Sequence, residues 1–113
     1  MSLDELLKTL QKEYLSELPE RIATIQSHVE SKNIESLKED FHKLKGTGKT
    51  YGLPEISELG EKMEALFIDC PARGFSKSSE ALKILARIHS TRVSGKEYVM
   101  AEDTDFSEIK KAS

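Results

Sequence analysis

"KLKGTGKT", residues 43–50, ends in Gly48-Lys49-Thr50, the closing triplet of a nucleotide-binding phosphate loop. That loop has the form G-x-x-x-x-G-K-[ST], because an early glycine and a following helix N-terminus let backbone amides wrap the phosphates. Five residues before Gly48 stands Lys43, where the loop needs glycine. The approach to it, "ESLKEDFHKLK" at 35–45, carries charges at Glu35, Lys38, Glu39 and Asp40 and places its apolar residues at helical spacing, unlike the buried strand that precedes a phosphate loop. No later apolar strand ending in aspartate offers a magnesium ligand. The stretch is therefore expected to lie inside a helix.

Working outward, Ile34, Leu37, Phe41, Leu44 and Tyr51 form one apolar stripe, which defines a helix after the break "SKN" at 31–33. Downstream, Ile56, Leu59, Gly60, Met63, Leu66 and Phe67 share a face of a second helix, with Pro54 in its first turn. Upstream, Leu3, Leu6, Leu7, Leu10 and Tyr14 recur at helical steps. After an expected break near Ser16 the pattern resumes as Leu18, Ile22, Ile25 and Val29, with Pro19 at the start of that segment. "DCPARGFSKSS" at 69–79 reads as a loop, with Ser78 or Ser79 capping a helix that carries Ala81, Leu82, Ile84, Leu85 and Ile88. "EYVMA" at 97–101 is too short to distinguish strand from loop. The expected fold is all-α: an antiparallel four-helix bundle over residues 1–93, with an additional N-terminal helix as cover. Residues 94–113 form a C-terminal tail, either disordered or docked, with at most a short helix started by Thr104 or Asp105.

Composition narrows the partners. The chain has 113 residues, 37% hydrophobic, 33% charged, with net charge −3, so one modest core and no broad field of one sign are expected. Nucleic acid and membrane are not implied, and no apolar run is long enough for a span or a signal segment. A cytoplasmic protein is expected. The single Cys70 excludes an internal disulfide and reads as a loop thiol, and no Cys/His cluster has metal-ligand spacing. No cofactor is expected. A monomer follows from helices that each carry one apolar stripe, all of which the bundle can bury.

Inside a helix each glycine costs roughly 1 kcal/mol relative to alanine, so Gly46 needs a reason. His42 and Gly46 are four residues apart and share a face, with Lys45 beside them. His42 follows Phe41, about 100° round from the buried stripe, where a side chain reaches solvent. Lys38, Lys45 and Lys49 fall on the same side. These residues describe a reachable imidazole in a cationic patch, with bare backbone next to it.

"HKLKGTGKTYG" resembles the signature of histidine phosphotransfer (HPt) domains, H-x-L-K-G with a glycine six residues later, matched by His42, Leu44, Lys45, Gly46 and Gly52. "LGEKMEALF" is similar to the helix that follows in that family. The resemblance implies that His42 accepts a phosphoryl group from a response-regulator aspartate and passes it to another receiver, possible partners including a hybrid histidine kinase. It implies no autonomous kinase activity. A neutral imidazole offers a ring nitrogen as nucleophile, and Lys45 would offset the charge of the phosphorylated ring. Lys38, Gly46 and Lys49 would meet the partner, and Gly52 would be structural. If the two central helices turn near Gly52 to Pro54, residues about ten on either side stand level, which sets Glu64 beside His42. Glu64 also matches a glutamate that phosphotransfer domains of chemotaxis kinases place against their histidine. It is expected to accept a hydrogen bond from one ring nitrogen. The alternatives are the phosphoacceptor domain of a chemotaxis-type kinase, or a helical interaction module without phosphoryl transfer. His28 is expected at the surface, His89 in packing, and Gly60 at a close helix contact.

Overall fold

A computed structural model describes residues 2–112. The described residues form five α-helices: α1 Leu3–Glu30, α2 Ile34–Gly48, α3 Pro54–Asp69, α4 Pro71–Val93 and α5 Thr104–Ala112, with 3-10 turns at Lys49–Tyr51 and Met100–Glu102. Helix starts follow from local chemistry. Ser2 and Asn33 each accept a backbone N–H three residues on, and prolines open α3 and α4, where first-turn amides have no intrahelical acceptor. Gly52 ends the α2 region in the left-handed conformation at φ +74°, which glycine adopts without a Cβ clash.

The break expected near Ser16 is absent. α1 runs unbroken through Pro19, so there is no separate cover helix, and the first and second upstream segments are one rod. Proline removes one helical hydrogen bond and crowds the preceding turn, at a cost of about 3 kcal/mol. Burial of Tyr14, Leu15, Leu18 and Ile25 on both sides of it keeps the rod whole. The expected loop at 69–79 is also helical, with α4 beginning at Pro71. Gly74 is the reason that stretch packs: a Cβ there would stand 2.7 Å from the Phe67 ring. Ser78, fully buried, returns its hydroxyl to the Gly74 carbonyl, so polar composition hid a helical turn.

α1 packs on α2 and α4, and α3 packs on α2 and α4, so the four enclose one core. Phe41 and Phe67 stack across it with ring centroids 6.0 Å apart, among Leu18, Leu37, Leu59, Met63 and Ile84. Along α1, Gln11, Tyr14 and His28 meet Tyr51, Thr47 and Asp40, numbers rising on one helix as they fall on the other. Between α3 and α4, Glu55 near the start of one pairs with Arg92 near the end of the other, through two guanidinium–carboxylate bonds of 2.6 and 2.9 Å.

After α4 the chain docks back. "EYVMA" is neither strand nor open loop but leads into the 3-10 turn at Met100. Asp103 caps α5 by accepting the Phe106 N–H and takes two bonds of 2.9 Å from Arg87 Nη2. Met100, Phe106 and Ile109 are buried.

Candidate functional site

Phe41 is fully buried, and the next residue, His42, turns its ring outward with 65% of the side chain exposed. A residue's 100° helical step accounts for the contrast. The ring's Nδ1 pairs with Glu64 Oε2 on α3. Nε2 has no hydrogen-bond partner among the described residues. Lys45 Nζ donates to the other carboxylate oxygen, Glu64 Oε1, at 3.2 Å. Glu64 is thus held by two donors from successive turns of α2, with only 14% of its side chain exposed.

Gly60 makes this reach possible. A Cβ on it would lie 2.5 Å from the Lys45 amide nitrogen and 2.6 Å from the Phe41 carbonyl oxygen. The two helix backbones touch there, and Glu64, one turn on from Gly60, arrives level with His42. A second close approach follows at Gly48, where a Cβ would meet Ser57 N at 2.6 Å, and Ser57 Oγ accepts the Lys49 N–H. Gly48 is therefore buried helix backbone, not a phosphate cradle.

Gly46 is the opposite case. Nothing lies within 4 Å of where its Cβ would be, so the backbone one turn beyond His42 is bare toward solvent.

Burial acts to raise the Glu64 pKa, but the hydrogen bonds from Lys45 and His42, together with their charges, outweigh it and hold the carboxyl below its ordinary 4.5. The carboxylate therefore stays ionised at neutral pH. Against Nδ1 it selects the tautomer with the proton on Nδ1, which leaves the Nε2 lone pair outward.

Of the residues singled out in the sequence, His42, Lys45 and Glu64 come together in one cluster. Lys45 touches Glu64 and not the imidazole. Lys38 lies one turn before His42, half-exposed and 3.5 Å from Glu35. Lys49 is exposed and makes no ion pair among the described residues. Gly52 sits at the turn, where Gln11 bonds to its carbonyl. His28 was expected as a plain surface residue but is half-buried, its Nδ1 2.6 Å from Asp40 Oδ2, a contact between helices that no local spacing announces. The bonds of Tyr14 to Thr47 and of Ser57 to the Lys49 N–H were likewise not legible.

Among the described residues no group of three or more His, Cys, Asp or Glu side chains could hold a metal ion, and no helix is long and apolar enough to cross a membrane. The Hpt domain family model matches residues 9–91, and the chain belongs to that family. No curated protein and no solved structure matches it. Membership implies histidine phosphotransfer within a phosphorelay, a process in which Hpt domains work with receiver domains and kinases.

Proposed function

We propose that this protein is a phosphorelay intermediate, an antiparallel four-helix bundle that takes a phosphoryl group onto His42 from a response-regulator aspartate and hands it to another receiver. The observation that carries the reading is the ring itself: outward, with Nδ1 engaged by Glu64 and Nε2 unoccupied. In the forward step the Nε2 lone pair attacks phosphorus, the N–P bond forms, and the acyl phosphate O–P bond breaks to leave the receiver's aspartate carboxylate. The Nδ1 proton stays on its nitrogen, and Glu64 offsets the positive charge that develops on the ring. Transfer to the next receiver reverses these events.

Lys45 can turn from Glu64 toward the new phosphoryl oxygens, and Lys38 and Lys49 extend the positive edge on which an acidic receiver surface can settle. Gly46 gives the partner backbone room. This work belongs in the cytoplasm, where receivers act.

A second reading has one observation in its favour. The Glu64 contact is the arrangement in which chemotaxis-kinase phosphotransfer domains hold their histidine, so a kinase domain using ATP is the alternative donor. Incubation with phosphorylated receivers should give acid-labile, base-stable label on the parent and none on His42→Gln. Label from ATP and a chemotaxis-type kinase domain, with none from any receiver, would favour the second reading. Label that survives in the His42 variant would sink both.

A further inference from the structure

Among the described residues the exposed large apolar side chains are Leu3, Leu6, Leu7, Ile68, Val93 and Val99, and of these only Ile68, at 68%, belongs to the two helices that build the His42 cluster. A lone surface isoleucine calls for no explanation by itself, but the position of this one does. Ser57, Gly60 and Glu64 mark the line of α3 that faces α2. Ser57 takes the Lys49 N–H, a Cβ on Gly60 would touch the α2 backbone, and Glu64 reaches His42 and Lys45. At 100° per residue, Ile68 lies about 40° round from Glu64 and about 20° from Ser57, on the side away from the buried Met63 and Phe67. It therefore continues the same line, tipped toward solvent, one turn or about 6 Å beyond Glu64.

On the facing edge of α2, Lys38, Lys45 and Lys49 all fall within about 60° of His42. The two helices pair antiparallel: Gly48 meets Ser57, Phe41 and Lys45 meet Gly60, and His42 meets Glu64. Carried one turn further, that register sets Ile68 level with residues 36–38, across the groove from Lys38, whose side chain is 40% exposed. The two edges of the groove thus differ in chemistry. One presents three ammonium groups, and the other presents Glu61 and Ile68, both exposed.

We propose that Ile68 decides which receivers dock and in which orientation: an apolar side chain beside the receiver's phosphoaspartate cleft seats on it, while the acidic rim of that cleft lies along the lysines of α2. The inference rests on the relay reading of His42. A receiver aspartate that passes its phosphoryl group to Nε2 must come within bonding reach of the ring, so His42 fixes the centre of the contact. A standard interface of ~800 Å² per partner, taken as a disc, has a radius of roughly 16 Å. With His42 touching Glu64 and Ile68 one turn further on, the isoleucine falls in the central part of that disc, where water is excluded and apolar area predominates. A partner's apolar group gains by burial there, whereas a carboxylate would lose hydration with no cation on the α3 edge to receive it. Turning the receiver end for end across the groove would set its acidic rim against Glu61, a like-charge contact that rejects the reversed orientation.

The test compares two phosphoryl donors. Phosphoramidate labels His42 without docking, and a panel of response-regulator receiver domains charged with acetyl phosphate labels it through the contact. With the receiver most active on the parent, Ile68→Ala should lower kcat/KM about five- to twentyfold, mainly through KM, and Ile68→Leu should keep most of the parental value. Ile68→Glu should lower it at least about thirtyfold. All three should keep the parental phosphoramidate rate, helicity and Tm, since the side chain is already exposed. Leu3→Glu adds the same charge two turns of α1 beyond the Gln11 bond to Gly52, outside the contact, and should transfer like the parent. An Ile68→Glu protein that accepts label from receivers at the parental kcat/KM, or that loses no more than Leu3→Glu, overturns the inference and leaves the relay reading standing. An equal loss with phosphoramidate also overturns it, since Ile68 would then act on the ring and not on the partner. A parent labelled by phosphoramidate and by no receiver overturns the relay reading and this inference together.

Discussion

Gly46 and Gly60 lie close to the same histidine and should respond oppositely to alanine. At Gly60 the added Cβ falls 2.5 and 2.6 Å from backbone atoms of α2 and 3.0 Å from Lys45 Cα. None of these atoms belongs to a flexible side chain, so α3 must retreat by about 1 Å to restore ordinary contact. Overpacking of this kind costs roughly 1–3 kcal/mol, more than the ~1 kcal/mol that alanine gains over glycine in a helix. With overlap against rigid backbone the upper part of that range applies, and the net loss is about 1–2 kcal/mol. At about 4 °C per kcal/mol for a domain of this size, Tm should fall by roughly 4–8 °C. Gly46→Ala meets nothing, keeps the helix gain of about 0.5–1 kcal/mol, and should raise Tm by roughly 2–4 °C. Thermal unfolding followed by circular dichroism reads both. Transfer assays should then show that both variants lose receiver-dependent phosphorylation, Gly46→Ala by blocking approach and Gly60→Ala by displacing Glu64 from His42. A Gly60→Ala protein as stable as the parent would refute the claim that backbone contact at this point sets the α2–α3 spacing.

Replacing Glu64 by Gln keeps an acceptor for Nδ1–H but removes the charge that stabilises the developing imidazolium, so phosphorylation by phosphoramidate, which needs no partner, should slow at least about tenfold, or ~1.4 kcal/mol. An unchanged rate would remove Glu64 from the chemistry. Because the Glu64 pKa is depressed in the folded protein, its contribution to stability is complete above pH 4.5 and is lost as pH falls through the lower folded value. A carboxyl-detected NMR titration should therefore place its midpoint below 4.5, and a midpoint above that value would contradict the contacts described. Arg92→Ala strands the Glu55 carboxylate, whose side chain is 3% exposed, and should cost about 3–5 kcal/mol in urea unfolding. Replacing both partners together, Arg92→Met with Glu55→Leu, should recover most of that loss, since an apolar pair leaves no buried charge.

The periodicity of Ile34 to Leu44 and of Ile56 to Phe67 was enough to read α2 and α3, because an apolar stripe at 3.6-residue spacing is a local property. Position 42, one step off that stripe, was legible as exposed for the same reason, and the H-x-L-K-G pattern was legible because its spacing is that of one helical turn. Pro19 and the polar run at 69–79 misled because their local preferences are a few kcal/mol at most. The core around Leu18 and the Gly74–Phe67 contact outweigh them, and both depend on chain segments distant in sequence.

Sequence alone therefore determined the helical character, the identity of the outward histidine and the family it belongs to, all carried by residues within a turn or two of each other. Only the tertiary structure decided that α1 is one rod with an uncovered end, that the tail docks through Arg87 and Asp103, and that Glu64 takes Lys45 in addition to His42. Those outcomes turn on how closely two backbones approach, and that distance is set by packing between helices, which no single segment encodes.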